Sequence, residues 1–345
     1  MKQIGFFDES NRLEELSKIG DPLEKLERVM EWHQFSPILN RVFEKERKAA
    51  GRPPYSYLLM FKILVLARLF NLSDDQTEYQ IKDRMTFMRF LGLTLGDRVP
   101  DAKTIWLFRE NLVKAGVMKE LFEKFNETLV RKGIITRTGT IVDASFANAP
   151  RQRNNRDENK EIKEGNVPQG WEKPENANKR RQKDTDARWA KKGTETHFGF
   201  KDHAKVDAES KLIVDYSVTD AAVHDSQEIV GLIDENDREI FADSAYVGEE
   251  LQQKIQKKAP KAKLSIHEKG YRNKGLTEEQ KAQNKKKSKT RCRVEHVFGF
   301  MTNSMHGITV RSIGMERATF NIGLMNLVYN MCRSEFLQRP MPSRA

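Results

Sequence analysis

Residues 238–250 read REIFADSAYVGEE. The apolar run Ile240-Phe241-Ala242 has the length of a short buried strand. It stops at Asp243, small and turn-prone residues follow, and a charged helical pattern begins at Gly248. Strand, turn, helix is the building unit of an α/β layer. A carboxylate at the end of a buried strand is costly unless something pairs with it or uses it. Asp243 therefore marks both a boundary of the fold and a candidate site.

The same alternation extends in both directions. Upstream, IITRTGTIVDASFANAP (134–150) reads as a strand or hairpin ending at Asp143. THFGFKDHAKVDAES (196–210) is strand-like with a turn at Glu209-Ser210, and KLIVDYSVTDAAV (211–223) is the next strand. DSQEIVGLIDE (225–235) predicts a helix capped by Asp225 or Ser226. Downstream come a helix, GEELQQKIQKKA (248–259), and a strand, AKLSIHEKG (262–270). The helix SKTRCRVEHVFGFM (288–301) follows, with Val294, Val297, Phe298 and Met301 on one stripe. The order β, β, β, α, β, α, β, α predicts a mixed sheet flanked by helices, a mixed α/β fold. Residues 147–195 break all periodicity; polar and of mixed charge, they predict an insertion loop.

The N-terminal part reads as helical. Asp21-Pro22 is an N-cap with Pro at the first helical position, and Ser36-Pro37 restarts a helix. A helical block begins at Gly51 with RPPYSYLLMFKILVLARLF. Ser73-Asp74-Asp75-Gln76 predicts a capping box before a second helix with Tyr79, Ile81, Met85 and Met88 apolar. A third runs from Asp101 to Gly116. Three short helices with a basic periphery suit a helix-turn-helix variant or a plain bundle, and spacing alone does not choose.

Composition narrows the class. The longest apolar stretch, Leu58 to Phe70, is broken by Lys62 and Arg68, which argues against a membrane span. The first fifteen residues lack the apolar region of a signal peptide. Cys292 and Cys332 are too few for a zinc site or disulfide framework, which suits a reducing cytoplasm. Net charge is +11 and unevenly placed: residues 1–50 carry nine Lys/Arg against ten Asp/Glu, residues 251–290 thirteen against three. Such a basic segment suits a polyanion; the alternative is a solvated lysine-rich loop.

Three acids sit on elements that this layout can bring together: Asp143 on the first strand, Asp243 after the fourth, and Glu295 on the helix at 288–301. Oxygen-only ligands with no Cys or His set suit hard Mg²⁺ or Mn²⁺. Two such ions would activate a water or hydroxyl and stabilise the leaving oxygen of a phosphodiester. Each acid alone is ordinary as a turn, cap or solvated residue; the order of elements and the flanking sequence give the set its weight.

That combination resembles the bacterial DDE transposases of insertion sequence family 5. TGTIVDASFANAP resembles the segment of the family's first Asp, and DARWAKKGTETHFGFKDHAKVD its second-strand signature. VTDAAVHDS, FADSAYVG and RCRVEHVFGFM resemble the segments after the third strand, of the second Asp and of the final Arg-x3-Glu. The block from GRPPYSYLLMF to MRFLGL is similar to the group's helical N-terminal domain. The resemblance implies a ribonuclease-H-like catalytic core behind a helical DNA-binding or dimerisation domain. It also implies cleavage and strand transfer on double-stranded DNA, at terminal inverted repeats and target, and a homodimer in a bacterial, nucleoid-associated setting. Carried over, the catalytic and metal-binding triad is Asp143, Asp243 and Glu295, with two Mg²⁺ or Mn²⁺ ions. A broader signature of related enzymes, Tyr-x2-Arg-x3-Glu-x6-Lys, has Ser288 and Thr302 here at its Tyr and Lys positions. That departure bears on contacts to DNA ends, not on the metal site.

Arg291 lies four residues before Glu295, on the same helix side. It is a candidate phosphate ligand; the alternative is an ion pair with Glu295. Lys285, Lys286, Lys287 and Lys289 are candidates to replace the missing signature charge. His224 is placed near metals or DNA, or caps a helix. Trp189, next to Arg188, stacks on a base or packs against the core, and Tyr246 touches a phosphate or packs. His197 and His203, six apart on one strand parity, are candidates for a metal pair, with surface or DNA-facing roles preferred. The expected segments are residues 1–50, the helical domain 51–130, a catalytic domain of 131–146 and 196–335, the insertion 147–195 and a tail 336–345. Two other functions keep the same fold: a transposase remnant that only binds DNA, and a nuclease without strand transfer.

Overall fold

A computed structural model of the chain describes residues 7–44, 53–268, 270 and 275–339. The start of the helical block at Gly51, part of the lysine-rich stretch and the tail from 340 lie outside the described residues. The chain forms two compact units, one comprising the chain up to Glu127 and from Leu327 on, the other Thr128–Asn326.

The first unit is helical: α1 (Asp8–Ile19), α2 (Pro22–Val29), α3 (Ser36–Phe43), α4 (Tyr57–Leu69), α5 (Asp74–Asp83), α6 (Met85–Leu91), α7 (Ala102–Ala115) and most of α8 (Met118–Arg131). Asp21 caps α2 as expected, accepting from the Leu23 N–H (2.9 Å). Ser73 accepts from the Gln76 N–H (3.2 Å), one half of the expected capping box, and Asp101 caps α7, accepting from the Thr104 N–H (2.7 Å). Gly116 ends α7 in the left-handed conformation. Helix α4 is buried from Met60 to Arg68, and Lys62 is tolerated there because its ammonium meets Glu27 at 2.9 Å. The expected second helix divides at Arg84 into α5 and α6, and Tyr79 is exposed rather than part of an apolar stripe. No helix among the described residues is long and apolar enough to cross a membrane.

The second unit is built on a six-stranded sheet: β1 (Thr140–Asn148), β2 (Arg188–Lys192), β3 (Glu195–Asp207), β4 (Ile213–Asp220), β5 (Glu239–Ala242) and β6 (Lys263–Ile266). Strand β3 pairs antiparallel with β1, β2 and β4; β1, β5 and β6 are mutually parallel neighbours. The sheet is therefore mixed, as the element order requires. Strand β1 does not end at Asp143 but continues five residues, because β3 supplies a paired backbone as far as Asn148↔Gly199. Gly199 allows this close approach. At φ +147°, a Cβ there would run into the Ala147 carbonyl oxygen and stand 2.7 Å from the Ala149 nitrogen.

The remaining helices are α9 (Arg156–Lys163), α10 (Ala177–Gln182), α11 (Ile229–Leu232), α12 (Glu249–Lys258), α13 (Glu278–Arg291), α14 (Arg293–Asn303) and α15 (Met315–Leu337). Ile229 and Leu232 of α11 and Ile255 of α12 share a core with Val142, Ile240, Ala242 and Tyr246. The expected single helix at 288–301 is two, α13 and α14, divided at Cys292. The expected helix at 225–235 is a 3-10 turn, Asp225–Gln227, followed by short α11; His224, not Asp225 or Ser226, supplies the cap.

Residues 147–195 do not form a structureless loop. They contain the end of β1, α9, α10 and β2. Asn155 and Glu158 make a reciprocal capping box at α9, and Trp171 is buried with its indole N–H donating to Glu158 at 2.7 Å. Asp184 and Asp186 tie the segment to the start of α15, accepting from the N–H groups of Gly314 (3.1 Å) and Met315 (2.8 Å).

Candidate active site

Side chains alternate across a strand. Val142 belongs to the core with α11 and α12, so Asp143 projects to the opposite side of β1. Ile141 pairs with Phe241 in the parallel register; counted two residues further, just past the end of β5, the same register brings Asp143 on one strand beside Asp243 after the other, and the Asp243 charge acts on the Asp143 carboxyl. Adjacent strands run about 4.8 Å apart, so two carboxylates stand side by side where β5 ends.

Each has a fixed oxygen. Asp143 Oδ1 accepts from the Ala144 N–H at 2.8 Å. Asp243 caps the 3-10 turn Ser244–Tyr246, its Oδ1 accepting from the Ala245 N–H at 2.7 Å. Burial pushes the Asp143 carboxyl up to about 6, and the Asp243 charge adds to the rise. The Ala144 N–H, Arg291 and Lys192 hold it back.

Glu295 sits in the first turn of α14 with its side chain 65% exposed. Arg291 links it to Asp143. The guanidinium donates from Nη1 to Asp143 Oδ2 at 3.2 Å and from Nη2 to Glu295 Oε1 at 3.3 Å. Its Nε is buried without a partner. The ion-pair alternative for Arg291 is thus present, and it includes a second carboxylate 148 positions away in sequence. Among the described residues no group of three or more His, Cys, Asp or Glu side chains stands as a ready-made metal site. The two aspartates nonetheless suit a hard divalent cation: adjacent oxygen donors, one of them held above its ordinary range by burial and by its neighbour. Glu295 is the third acid beside them, held to Arg291 at 3.3 Å.

The other candidates divide. Lys285, Lys286 and Lys289 are exposed on α13, whereas Lys287 donates to the Ile266 carbonyl at 2.8 Å. Trp189 is 41% exposed on β2, with Phe198 beneath it (ring centroids 4.9 Å) and the Arg151 guanidinium over it at 5.9 Å. Arg188 is turned inward, donating to the carbonyls of Thr185, Ala187 (3.2 Å) and Ile162 (2.8 Å). Tyr246 is 1% exposed and packs in the core, turned away from any phosphate; its hydroxyl has no hydrogen-bond partner among the described residues. Burial, and then the charges of Asp143, Asp225 and Asp243, push its hydroxyl up. His224 caps the 3-10 turn, its Nδ1 2.8 Å from Ser226 Oγ. Asp225 pairs with Lys201 at 2.8 Å. His197 and His203 cannot share an ion. Six strand residues span roughly 20 Å, and His197 stacks on Phe146 while His203 meets Thr219 at 2.8 Å.

Two neighbours of the acids escape the sequence reading. Lys192, at the tip of the β2–β3 hairpin, is near enough to hold down the Asp143 carboxyl. His267 follows β6 and has its pKa lowered by burial and by Arg291 and Lys287. A lysine in a polar insertion and a histidine after a short strand carry no local signal of either position.

Residues 135–331 match the family model described as Transposase DDE domain, and residues 11–111 match that described as Transposase domain (DUF772). No solved structure matches.

Proposed function

The chain belongs to the family of the Transposase DDE domain, whose model it matches over more than half of its length, and from that premise we propose that it cleaves and joins DNA with Asp143, Asp243 and Glu295 as its acids. The substrates are the terminal inverted repeats of an insertion sequence and a target duplex. The observation that carries this reading is the meeting of Asp143 and Asp243 at neighbouring parallel strands, with Glu295 one guanidinium away. The strand order β4-β3-β1-β5-β6 suits a ribonuclease-H-like core. The insertion-sequence group remains the one that the sequence resembles.

Divalent cations, Mg²⁺ or Mn²⁺, would supply Lewis-acid activation of the attacking oxygen and charge for the leaving one. The chain's own residues do the rest. The N–H groups of Ala144 and Ala245 fix one oxygen of each aspartate, and Arg291 holds the second oxygen of Asp143. Rigid support of this kind aims a charged group without loss of motion at the moment of reaction. Lys285, Lys286 and Lys289 line one helix as contacts for the DNA backbone, and Trp189 offers an aromatic face to a base. Arg188, Lys287 and Tyr246 are not part of this proposal, since their polar groups are turned inward. Joining two element ends requires two such sites, so the active species is a homodimer, working on the DNA of a bacterial cytoplasm.

Nicking of end-containing plasmid DNA in Mg²⁺ tests the reading. Wild type should nick and Asp243→Ala should not; equal nicking by both removes the catalytic assignment. Pre-cleaved ends incubated with a target plasmid then separate transposition from hydrolysis. Joined products support it, and hydrolysis alone makes the chain a nuclease.

A further inference from the structure

Arg291 holds the first and third acids with one side chain: Nη1 on Asp143, Nη2 on Glu295. The fork occupies oxygens of two of the carboxylates that would hold a divalent cation. It also places a permanent positive charge between them, because guanidinium does not deprotonate in proteins. The side chain is 22% exposed at the last residue of α13, where the chain breaks at Cys292 before α14. Lys285, Lys286 and Lys289 are exposed on the same helix and add to its positive charge. Guanidinium pairs with phosphate in the same two-pronged way as with carboxylate. One fork cannot serve a phosphate and both acids together.

We propose that Arg291 is a charge placeholder that makes divalent-cation loading depend on DNA. This rests on the assignment of Asp143, Asp243 and Glu295 as cation ligands. Without DNA the guanidinium neutralises the acids, holds Glu295 and opposes a cation. When a backbone phosphate takes the fork, Glu295 is released to the cation. Coupling between two ligands is reciprocal, so the cation equally favours the DNA-engaged position of Arg291. Loading is thereby confined to chains that hold substrate, which limits cleavage of unengaged DNA.

The test is Mn²⁺ uptake by the full chain, read as free Mn²⁺ by electron paramagnetic resonance, with and without a short duplex of arbitrary sequence. Uptake by the duplex alone is subtracted. Even when screened as in bulk water, a unit charge removed about 4 Å from a divalent ion changes affinity by roughly tenfold or more. Arg291→Gln should therefore bind Mn²⁺ about tenfold more tightly than wild type without DNA. The duplex should tighten wild type by a similar factor and leave Arg291→Gln unchanged. A purely structural role would weaken Mn²⁺ binding in the variant, not strengthen it. Equal or weaker binding by Arg291→Gln overturns the proposal, and so does a wild type indifferent to the duplex. Should Arg291→Gln lose its native circular dichroism, Arg291→Lys carries the test. Lysine keeps the charge and loses the fork, so its affinity should rise severalfold, and equality with wild type overturns the idea. Asp243→Ala is the separate control. If it takes up Mn²⁺ as wild type does, the ligand assignment itself fails.

Discussion

Asp143→Asn should make the cation-free protein more stable while abolishing cleavage. Burial raises the carboxyl of Asp143 in the folded chain from 3.8 to about 6. Between these values the folded chain holds a proton that the unfolded chain has released. Stability therefore falls as pH rises through the window, and the penalty is complete above about pH 7. A difference of about two pH units corresponds to roughly 3 kcal/mol. The figure already includes the attraction of Arg291 and the Ala144 N–H, both of which oppose the rise. With 18% of the side chain exposed, solvent screens little of it. Asparagine is nearly isosteric, keeps an oxygen for the Ala144 N–H and carries no charge to desolvate.

For a unit the size of Thr128–Asn326, 1 kcal/mol moves the melting temperature by roughly 2–4 °C. In EDTA at pH 8, Asp143→Asn should melt roughly 6–12 °C above wild type, with the gap closing toward pH 4. With a short duplex present, Mg²⁺ should then raise the wild-type melting temperature and leave the variant nearly unchanged, because only a ligand-competent site is stabilised by mass action. A gap independent of pH, or a wild type more stable than the variant at pH 8, would refute the reasoning. Either result would mean that Arg291 already compensates the buried charge in full.

Three other perturbations bear on the scaffold and the DNA surface. Replacing Lys285, Lys286 and Lys289 together by Gln should weaken binding to any duplex and lower the slope of log affinity against log salt by about 3, near one per phosphate contact; an unchanged slope removes α13 from the interface. Trp171→Ala should cost about 3–5 kcal/mol within the insertion and open residues 156–182 to limited proteolysis; a wild-type digestion pattern would show that Trp171 does not hold α9 and α10 in place. Gly199→Ala forces a Cβ into the Ala147 carbonyl at a strained φ and should cost about 3 kcal/mol or more, so a melting temperature equal to wild type would mean that β1 and β3 separate there without penalty.

What the sequence makes legible follows from whether the decisive partner is local. The Asp243 turn, the caps at Asp21, Ser73 and Asp101, and the alternation after residue 196 are local signals, and each has its counterpart in the structure. Strand β3 is legible as a strand, yet its Lys201, Asp202, His203 and Lys205 are buried, which no propensity explains. Lys201 meets Asp225, Lys205 meets Asp234 (2.7 Å) and Asp237 (2.9 Å), and Asn326 donates to Asp202 (3.0 Å). Each partner is distant along the chain. Helix α15 goes unread because it is buried on most sides and so has no stripe to reveal its period. The insertion goes unread because few apolar residues, chiefly Ile162, Trp171 and Ala187, carry its burial, and capping carboxylates and amides replace the rest.

Arg291 shows most clearly why a local reading stops short. From sequence, an ion pair with Glu295 and a grip on phosphate are rivals, because spacing within one helix allows either. The structure adds Asp143 as a second partner. A pair made only with Glu295, itself 65% exposed, would be worth little and would survive beside a phosphate contact. A fork shared with a mostly buried carboxylate is different, because that carboxylate needs a positive charge whenever it is ionised. Under the proposed exchange, Arg291 leaves an ionised Asp143 for a phosphate as another cation takes its place, and the two roles are successive rather than rival.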